Sequence, residues 1–158
     1  MREERLTLAE ALESARGAGA RLRLSLDRLS TLFPLTAARI PPGDSPAAEA
    51  VDAFQKRFET LQDTLANQVF RAIVAAEFAE AKVQTLRDVL NLMEKLGVID
   101  RVADWDVIRQ ARNRLAHEYP TRPDRQAAQL NDAWTLAPRL LDTLDRVERV
   151  ARDRGLIP

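Results

Sequence analysis

The sequence contains no cysteine and only one histidine. The lack of cysteine excludes disulfide bonds, thiolate metal sites and cysteine nucleophiles. A single histidine without cysteine also argues against a zinc site, which takes several such ligands, and we expect no cofactor. The first five residues carry acids and lead into no apolar stretch. We therefore expect no signal peptide and a cytoplasmic protein.

Long apolar runs and glycine are also scarce. No run approaches the roughly 20 residues that cross a bilayer, so we expect no contact with a membrane. There are 5 glycines, no Asn-Gly or Asp-Gly dipeptide of a hairpin, and no glycine-rich phosphate loop. With 24 basic and 24 acidic residues the net charge is zero, unlike that of a general nucleic-acid-binding protein. RNA binding would need a local patch such as residues 109–125, which hold five arginines and two acids.

Apolar residues recur at spacings of three and four along almost the whole chain, which is the pattern of amphipathic helices. The pattern predicts helices over about residues 6–32, 46–78, 83–96, 104–119 and 124–154, and it allows the third to continue from the second without a break. A chain of 158 residues suits one domain. We therefore predict an all-α fold, a four- to five-helix up-and-down bundle that forms a single domain over residues 1–158.

Residues at the helix ends support several of these bounds. Ser45 is a good N-cap before Pro46, and Gly97 is a natural stop for the third helix. Asp104 is the predicted N-cap of the fourth helix. Within the helices, glycines 17 and 19 predict a bend or break in the first, and Pro138 predicts a kink in the last. The proline-rich connector over residues 34–46 has no role that the sequence assigns.

The only histidine lies in the fourth predicted helix. At 100° per residue it shares a polar face with two arginines and an asparagine: Arg109, Arg112, Asn113 and His117. A lone histidine is usually a structural or surface residue, and arginines on such a face are usually just solvated. The functional interpretation is that arginine binds a phosphate and stabilises its transition-state charge, while histidine transfers a proton near neutral pH.

These groups suffice for RNA cleavage without a metal. The reaction needs both an acid and a base, and one chain offers only one histidine. A symmetric homodimer with this face near its two-fold axis would supply two. Dimerisation is therefore part of the hypothesis.

Residues 112–119, Arg-Asn-Arg-Leu-Ala-His-Glu-Tyr, match the arginine, polar residue, three residues, histidine, any residue, tyrosine signature of HEPN-domain proteins. The chain resembles most the HepT-type toxins of HEPN–nucleotidyltransferase toxin–antitoxin pairs. Residues 54–61, Phe-Gln-Lys-Arg-Phe-Glu-Thr-Leu, are similar to an aromatic-rich helix of HEPN proteins described as substrate-binding subunits of nucleotidyltransferases.

The resemblance implies a role for each matching residue. Arg112 and His117 would be the catalytic pair of a metal-independent endoribonuclease that acts as a homodimer on tRNA or mRNA. Asn113 would be the polar residue beside the arginine and bind substrate, and the helical wheel adds Arg109 as a second substrate-binding residue. Tyr119 would be modified with AMP by a cognate nucleotidyltransferase antitoxin.

Two alternatives stay open at this point. The protein could be a non-catalytic subunit that binds a substrate or nucleotide for a nucleotidyltransferase, or a purely structural helical dimer. The fold would not separate them, because function resides in the site.

Overall fold

Helices make up all of the regular secondary structure in the described part of the chain. The computed structural model describes residues 2–80, 82–83, 85–117 and 121–158. The six α-helical segments are α1 (Arg2–Arg28), α2 (Pro46–Thr64), α3 (Phe70–Glu77), α4 (Leu86–Leu96), α5 (Val102–Leu115) and α6 (Pro123–Asp153). A π-helical turn, Leu65–Val69, joins α2 to α3. Because these two segments form one continuous helix, the described part of the chain is an all-α bundle of five helices, which confirms the predicted fold class.

The start of α2 and the end of α4 are confirmed. The Ser45 hydroxyl accepts a hydrogen bond from the backbone N–H of Ala48, and Pro46 is the first helical residue. Gly97 ends α4 with a φ of 80°, a left-handed conformation that favours glycine. The notion that the third predicted helix continues from the second is wrong. Thr85 starts α4 afresh, because its side chain and that of Asp88 bind each other's backbone N–H groups in a capping box.

The predicted bounds of the fourth helix are wrong at both ends. α5 begins at Val102, and Asp104 lies in its first turn rather than at the N-cap. The reason is a long-range contact, since the carboxylate of Glu94 on α4 accepts a hydrogen bond of 2.7 Å from the Val102 N–H. At the other end, α5 stops at Leu115, four residues before the predicted end at Tyr119. Tyr119 itself lies outside the described residues.

The first helix is continuous through its glycines, so the predicted break does not occur. Gly19 lies where α1 contacts α6, and a Cβ atom there would be 2.6 Å from Cδ2 of Leu144. Gly17 has open space around the same position. Gly19 thus allows close contact between the two helices, whereas Gly17 has no packing role.

This difference gives a matched pair of variants. We expect Gly17→Ala to raise the free energy of unfolding by roughly 1 kcal/mol, the gain in helix propensity. Gly19→Ala should lower it by about 1 kcal/mol or more, because overpacking costs about 1–3 kcal/mol and Leu144, only 2% exposed, has little room to move. Urea unfolding followed by circular dichroism measures both. Equal stabilisation by the two variants would contradict the contact between α1 and α6.

A polar side chain of α6 pairs with the backbone of the connector between α1 and α2. Asn131 accepts a hydrogen bond of 2.7 Å from the N–H of Leu35 and donates one of 2.8 Å to its carbonyl. Pairing both backbone groups of Leu35 fixes the start of the connector on the bundle.

The buried apolar side chains form one cluster among the helices. At one end of it the rings of Phe33 and Trp134 stack at 4.3 Å, and Phe54 meets both edge-on at 5.5 Å. Proline 138 lies within α6, which continues past it. In the described residues, no helix is both long and apolar enough to cross a membrane.

Candidate functional site

Arg112 forms the best-defined polar contact of α5. Its Nε and Nη2 atoms donate hydrogen bonds to Oδ1 and Oδ2 of Asp63 on α2, each 2.8 Å long. Both side chains are partly exposed, Arg112 by 25% and Asp63 by 39%. The two parallel bonds fix the plane of the guanidinium as well as its position. Arg112 is therefore held by the bundle and does not move freely on its surface.

The surroundings of Arg112 favour its charged form. The hydrogen bonds to Asp63 are the main cause that raises the pKa of Arg112 above its usual value, and the negative charges of Asp63 and Glu59 add to it. Partial burial acts in the opposite direction but does not prevail. A permanent cation at this position therefore lies beside two carboxylates.

A polar row on α2 accompanies the end of α5. Gln55, Glu59 and Asp63 follow one another at four-residue spacing, so they share one face of α2. The side-chain amide of Gln55 donates a hydrogen bond of 2.8 Å to the carbonyl of Leu115, the last residue of α5. Together with the Asp63–Arg112 pair, this bond attaches the C-terminal end of α5 to α2 at two points.

His117 lies just beyond the end of α5, in a turn, and its side chain is exposed. Its backbone N–H donates to the carbonyl of Arg114, and that of Ala116 donates to the carbonyl of Asn113. These bonds span three residues rather than four, so the last turn is tightened into 3₁₀ geometry. The expectation that His117 lies within the helix is therefore wrong, because His117 lies two residues beyond the last residue of α5.

Arg109 is directed to a different contact. Its Nη2 atom lies 3.4 Å from Oδ1 of Asp106, whose other oxygen lies 3.2 Å from Nη2 of Arg87 on α4. The Nε atom of Arg109 is buried and has no hydrogen-bond partner in the part of the chain that the structure describes. Among the described residues, no hydrogen bond or ion pair links Arg109 to the other predicted site residues.

The other predicted residues differ in how they are placed. The Asn113 side chain is exposed, and no hydrogen bond joins it to Arg112 or His117 in the described part of the chain. The structure therefore brings Arg112, Asn113 and His117 to the same end of α5 without connecting their side chains. Tyr119 is outside the described residues.

The sequence interpretation missed Asp63, Gln55 and Glu59. A signal was present, because these polar residues recur every four positions beside the apolar stripe of the same helix. Gln55 and Glu59 even belong to the segment 54–61 that carries the second resemblance. Nothing in that pattern alone shows that α5 is the neighbour that Asp63 contacts.

The arrangement offers a fixed cation and an exposed imidazole at one helix end. Arg112 lies in the last turn of α5, and His117 lies two residues beyond its end, five positions along the chain from Arg112. In the part of the chain that the structure describes, no group of three or more histidine or acidic side chains could hold a metal ion.

The chemistry of the site, rather than the fold, indicates its function. A helical bundle by itself hosts many unrelated functions. The resemblance to HEPN-domain proteins rests on residues 112–119 and 54–61 alone. No protein-family model, no characterised protein and no solved structure matches the chain significantly.

Proposed function

We propose that the protein is a metal-independent endoribonuclease of the HEPN type, the toxin half of a toxin–antitoxin pair, and that it acts as a homodimer. The observation that supports this most directly is the oriented guanidinium of Arg112 beside an exposed His117 at the end of α5. An arginine whose fork geometry is fixed suits a phosphate, and an exposed imidazole suits proton transfer.

The proposed reaction is a transesterification within the RNA chain. A bond forms between the 2′-oxygen and the adjacent phosphorus, while the bond from phosphorus to the 5′-oxygen breaks. Neutral His117 takes the proton of the 2′-hydroxyl, and a protonated imidazole gives a proton to the departing 5′-oxygen. Arg112 stabilises the additional negative charge on the phosphate oxygens in the transition state. The products are a 2′,3′-cyclic phosphate and a 5′-hydroxyl.

The number of histidines makes a second copy of the chain part of this proposal. One imidazole cannot be neutral and protonated at the same time, and the sequence has no other histidine. Two copies related by a two-fold axis near His117 would provide a base and an acid in one site. The exposure of His117 is compatible with such a position.

The proposal also includes a nucleotidyltransferase as partner. The phenolic oxygen of Tyr119 would attack the α-phosphorus of ATP, lose its proton and release pyrophosphate, which leaves AMP on the tyrosine. Tyr119 is two positions from His117 in the chain. The added phosphate would carry negative charge to the place where RNA must bind, and would block it by repulsion and bulk.

The first test compares the parent with His117→Ala. Both dimeric proteins, free of any partner, are incubated with tRNA and with total RNA in the presence of a chelator. We expect cleavage by the parent and a rate lower by about 10²–10⁴-fold in the variant, the usual contribution of general acid–base catalysis. Because His117 is exposed, the thermal midpoint of the His117→Ala variant should match that of the parent. Cyclic-phosphate ends identify the reaction, and no cleavage by the parent would contradict the proposal.

A second candidate function is that of a binding subunit for a nucleotidyltransferase. Its support is that two carboxylates, Asp63 and Glu59, already compensate the charge of Arg112. This function predicts affinity for a nucleotide or RNA without cleavage. The same incubation therefore separates the two candidates when binding is measured beside cleavage.

A further inference from the structure

We infer that Asp63 is a positioning residue for Arg112, which orients the guanidinium so that its remaining edge can bind the phosphate in the transition state. The inference rests on the proposed ribonuclease function and adds to it a residue on another helix. Asp63 would touch neither the RNA nor the reacting atoms. It would act only through Arg112.

The hydrogen bonds of Arg112 leave a usable edge. A guanidinium has five N–H bonds in one plane. Asp63 uses one at Nε and one at Nη2, so three stay available, two at Nη1 and one at Nη2. None of these three has a partner among the described residues. The Nη1–Nη2 edge can therefore fork onto two phosphate oxygens while Asp63 holds the adjacent Nε–Nη2 edge.

The anchoring of Asp63 supports a fixed orientation. It lies near the end of α2, whose apolar residues Phe54, Phe58 and Leu61 are completely buried. The rigid helix fixes the carboxylate, and the two 2.8 Å bonds transfer that position to the guanidinium. A long arginine side chain without such a partner would lose rotamer freedom each time a substrate binds. With Asp63 as its partner, Arg112 loses this rotamer freedom during folding, so the guanidinium is oriented before RNA binds.

Glu59 provides a control within the same row. It lies one helical turn before Asp63 and acts on Arg112 through its charge, but it forms no hydrogen bond with it in the described structure. If orientation matters, removal of the Asp63 carboxylate should affect cleavage far more than removal of the Glu59 charge. If only charge compensation matters, the two changes should have similar effects.

The experiment measures kcat and KM for RNA cleavage in the parent, Asp63→Ala, Asp63→Glu, Glu59→Gln, Arg112→Ala and the double variant of residues 63 and 112. Affinity is measured separately with RNA in which 2′-O-methyl groups block cleavage, and the thermal midpoint with circular dichroism. We expect Asp63→Ala to lower kcat by about 10–100-fold, the scale of a misplaced catalytic group. Its affinity for the blocked RNA should stay equal or rise, because one negative charge is gone. Asp63→Glu should restore part of kcat, and Glu59→Gln should stay within about threefold of the parent.

The double variant tests whether Asp63 acts through Arg112. In the Arg112→Ala background the loss of Asp63 should not lower kcat further, because coupled residues are not additive. An equal loss in both backgrounds would mean that Asp63 only stabilises the fold. Faster cleavage and tighter binding in Asp63→Ala would instead make it a competitor of the phosphate. If the parent and Asp63→Ala cleave RNA equally well, this inference alone is wrong. If the parent does not cleave RNA, both the proposed function and this inference are wrong.

Discussion

Replacing Arg112 with alanine should lower the rate of RNA cleavage by about 100- to 1,000-fold, the effect of removing one donor that stabilises transition-state charge. The change removes the cation that would bind the phosphate and deprives Asp63 and Glu59, two carboxylates one turn apart, of its positive charge. The two negative charges then repel each other, and they also repel the phosphates of RNA. The loss should therefore appear in kcat and in RNA affinity together.

The stability of Arg112→Ala should change far less than its activity. The ion pair is partly exposed on both sides, and such pairs contribute about 1 kcal/mol or less. Thermal unfolding by circular dichroism at the same protein concentration measures this. A fall of activity that simply follows a fall of the folded fraction would contradict a role of Arg112 in the reaction.

The chain offers a matched control two positions away. Arg114 is also on α5, but its Nη2 atom lies 3.6 Å from Asp132 on α6, so its contact is with the opposite neighbour of α5. Arg114→Ala removes the same type of side chain and the same charge, and we expect cleavage within about threefold of the parent. Arg112→Lys adds the distinction between charge and geometry, because lysine keeps the charge but cannot form two parallel hydrogen bonds. Equal activity of Arg112→Lys and the parent would contradict the importance of the fork.

The sequence predicts helix ends well where the capping interaction is local. Ser45 with Pro46, and Gly97, act through atoms within three or four residues, so their residue types suffice. The spacing of Thr85 and Asp88 is that of a capping box and predicts the start of α4. The apolar periodicity across this point nevertheless suggested that the second and third predicted helices are continuous. The start of α5 was not readable, because its first N–H is paired with Glu94 of another helix.

For the site as well, the sequence predicts the candidate residues but not their partners on other helices. Arg112 and His117 are found from their spacing in the chain, which the resemblance makes specific. Asp63 is 49 residues away from Arg112, and only the packing of α2 against α5 brings them together. The separation of Arg109 from Arg112 has the same cause, because a helical wheel gives directions on one helix but not the contacts with Asp106 and α4. Local patterns predict elements and candidate residues, whereas their partners depend on tertiary packing.

Phe54 connects the hydrophobic core with the helix that carries Asp63. Its side chain is completely buried. Its ring meets those of Phe33 and Trp134 at centroid distances of 5.5 Å and that of Phe58 at 6.4 Å. Removing the ring would leave a cavity among three aromatic neighbours, and the loss of a buried phenylalanine costs about 3–5 kcal/mol. Phe54→Ala should therefore destabilise the protein more than Gly19→Ala or Arg112→Ala.

We therefore expect Phe54→Ala to lower the thermal midpoint by roughly 6–20 °C, because 1 kcal/mol corresponds to about 2–4 °C in a domain of this size. Since α2 also holds Gln55 and Asp63 against α5, the loosened helix should lose cleavage activity at temperatures at which the parent is still active. Circular dichroism and cleavage measured over the same temperature range test both expectations.

Leu24→Ala is the control, because this leucine is 50% exposed and its truncation should change the free energy of unfolding by about 0.5 kcal/mol or less. A midpoint of Phe54→Ala close to that of the control would contradict the packing of the aromatic cluster, whereas a large fall in stability with unchanged activity below the transition would show that the site does not depend on how tightly α2 is packed.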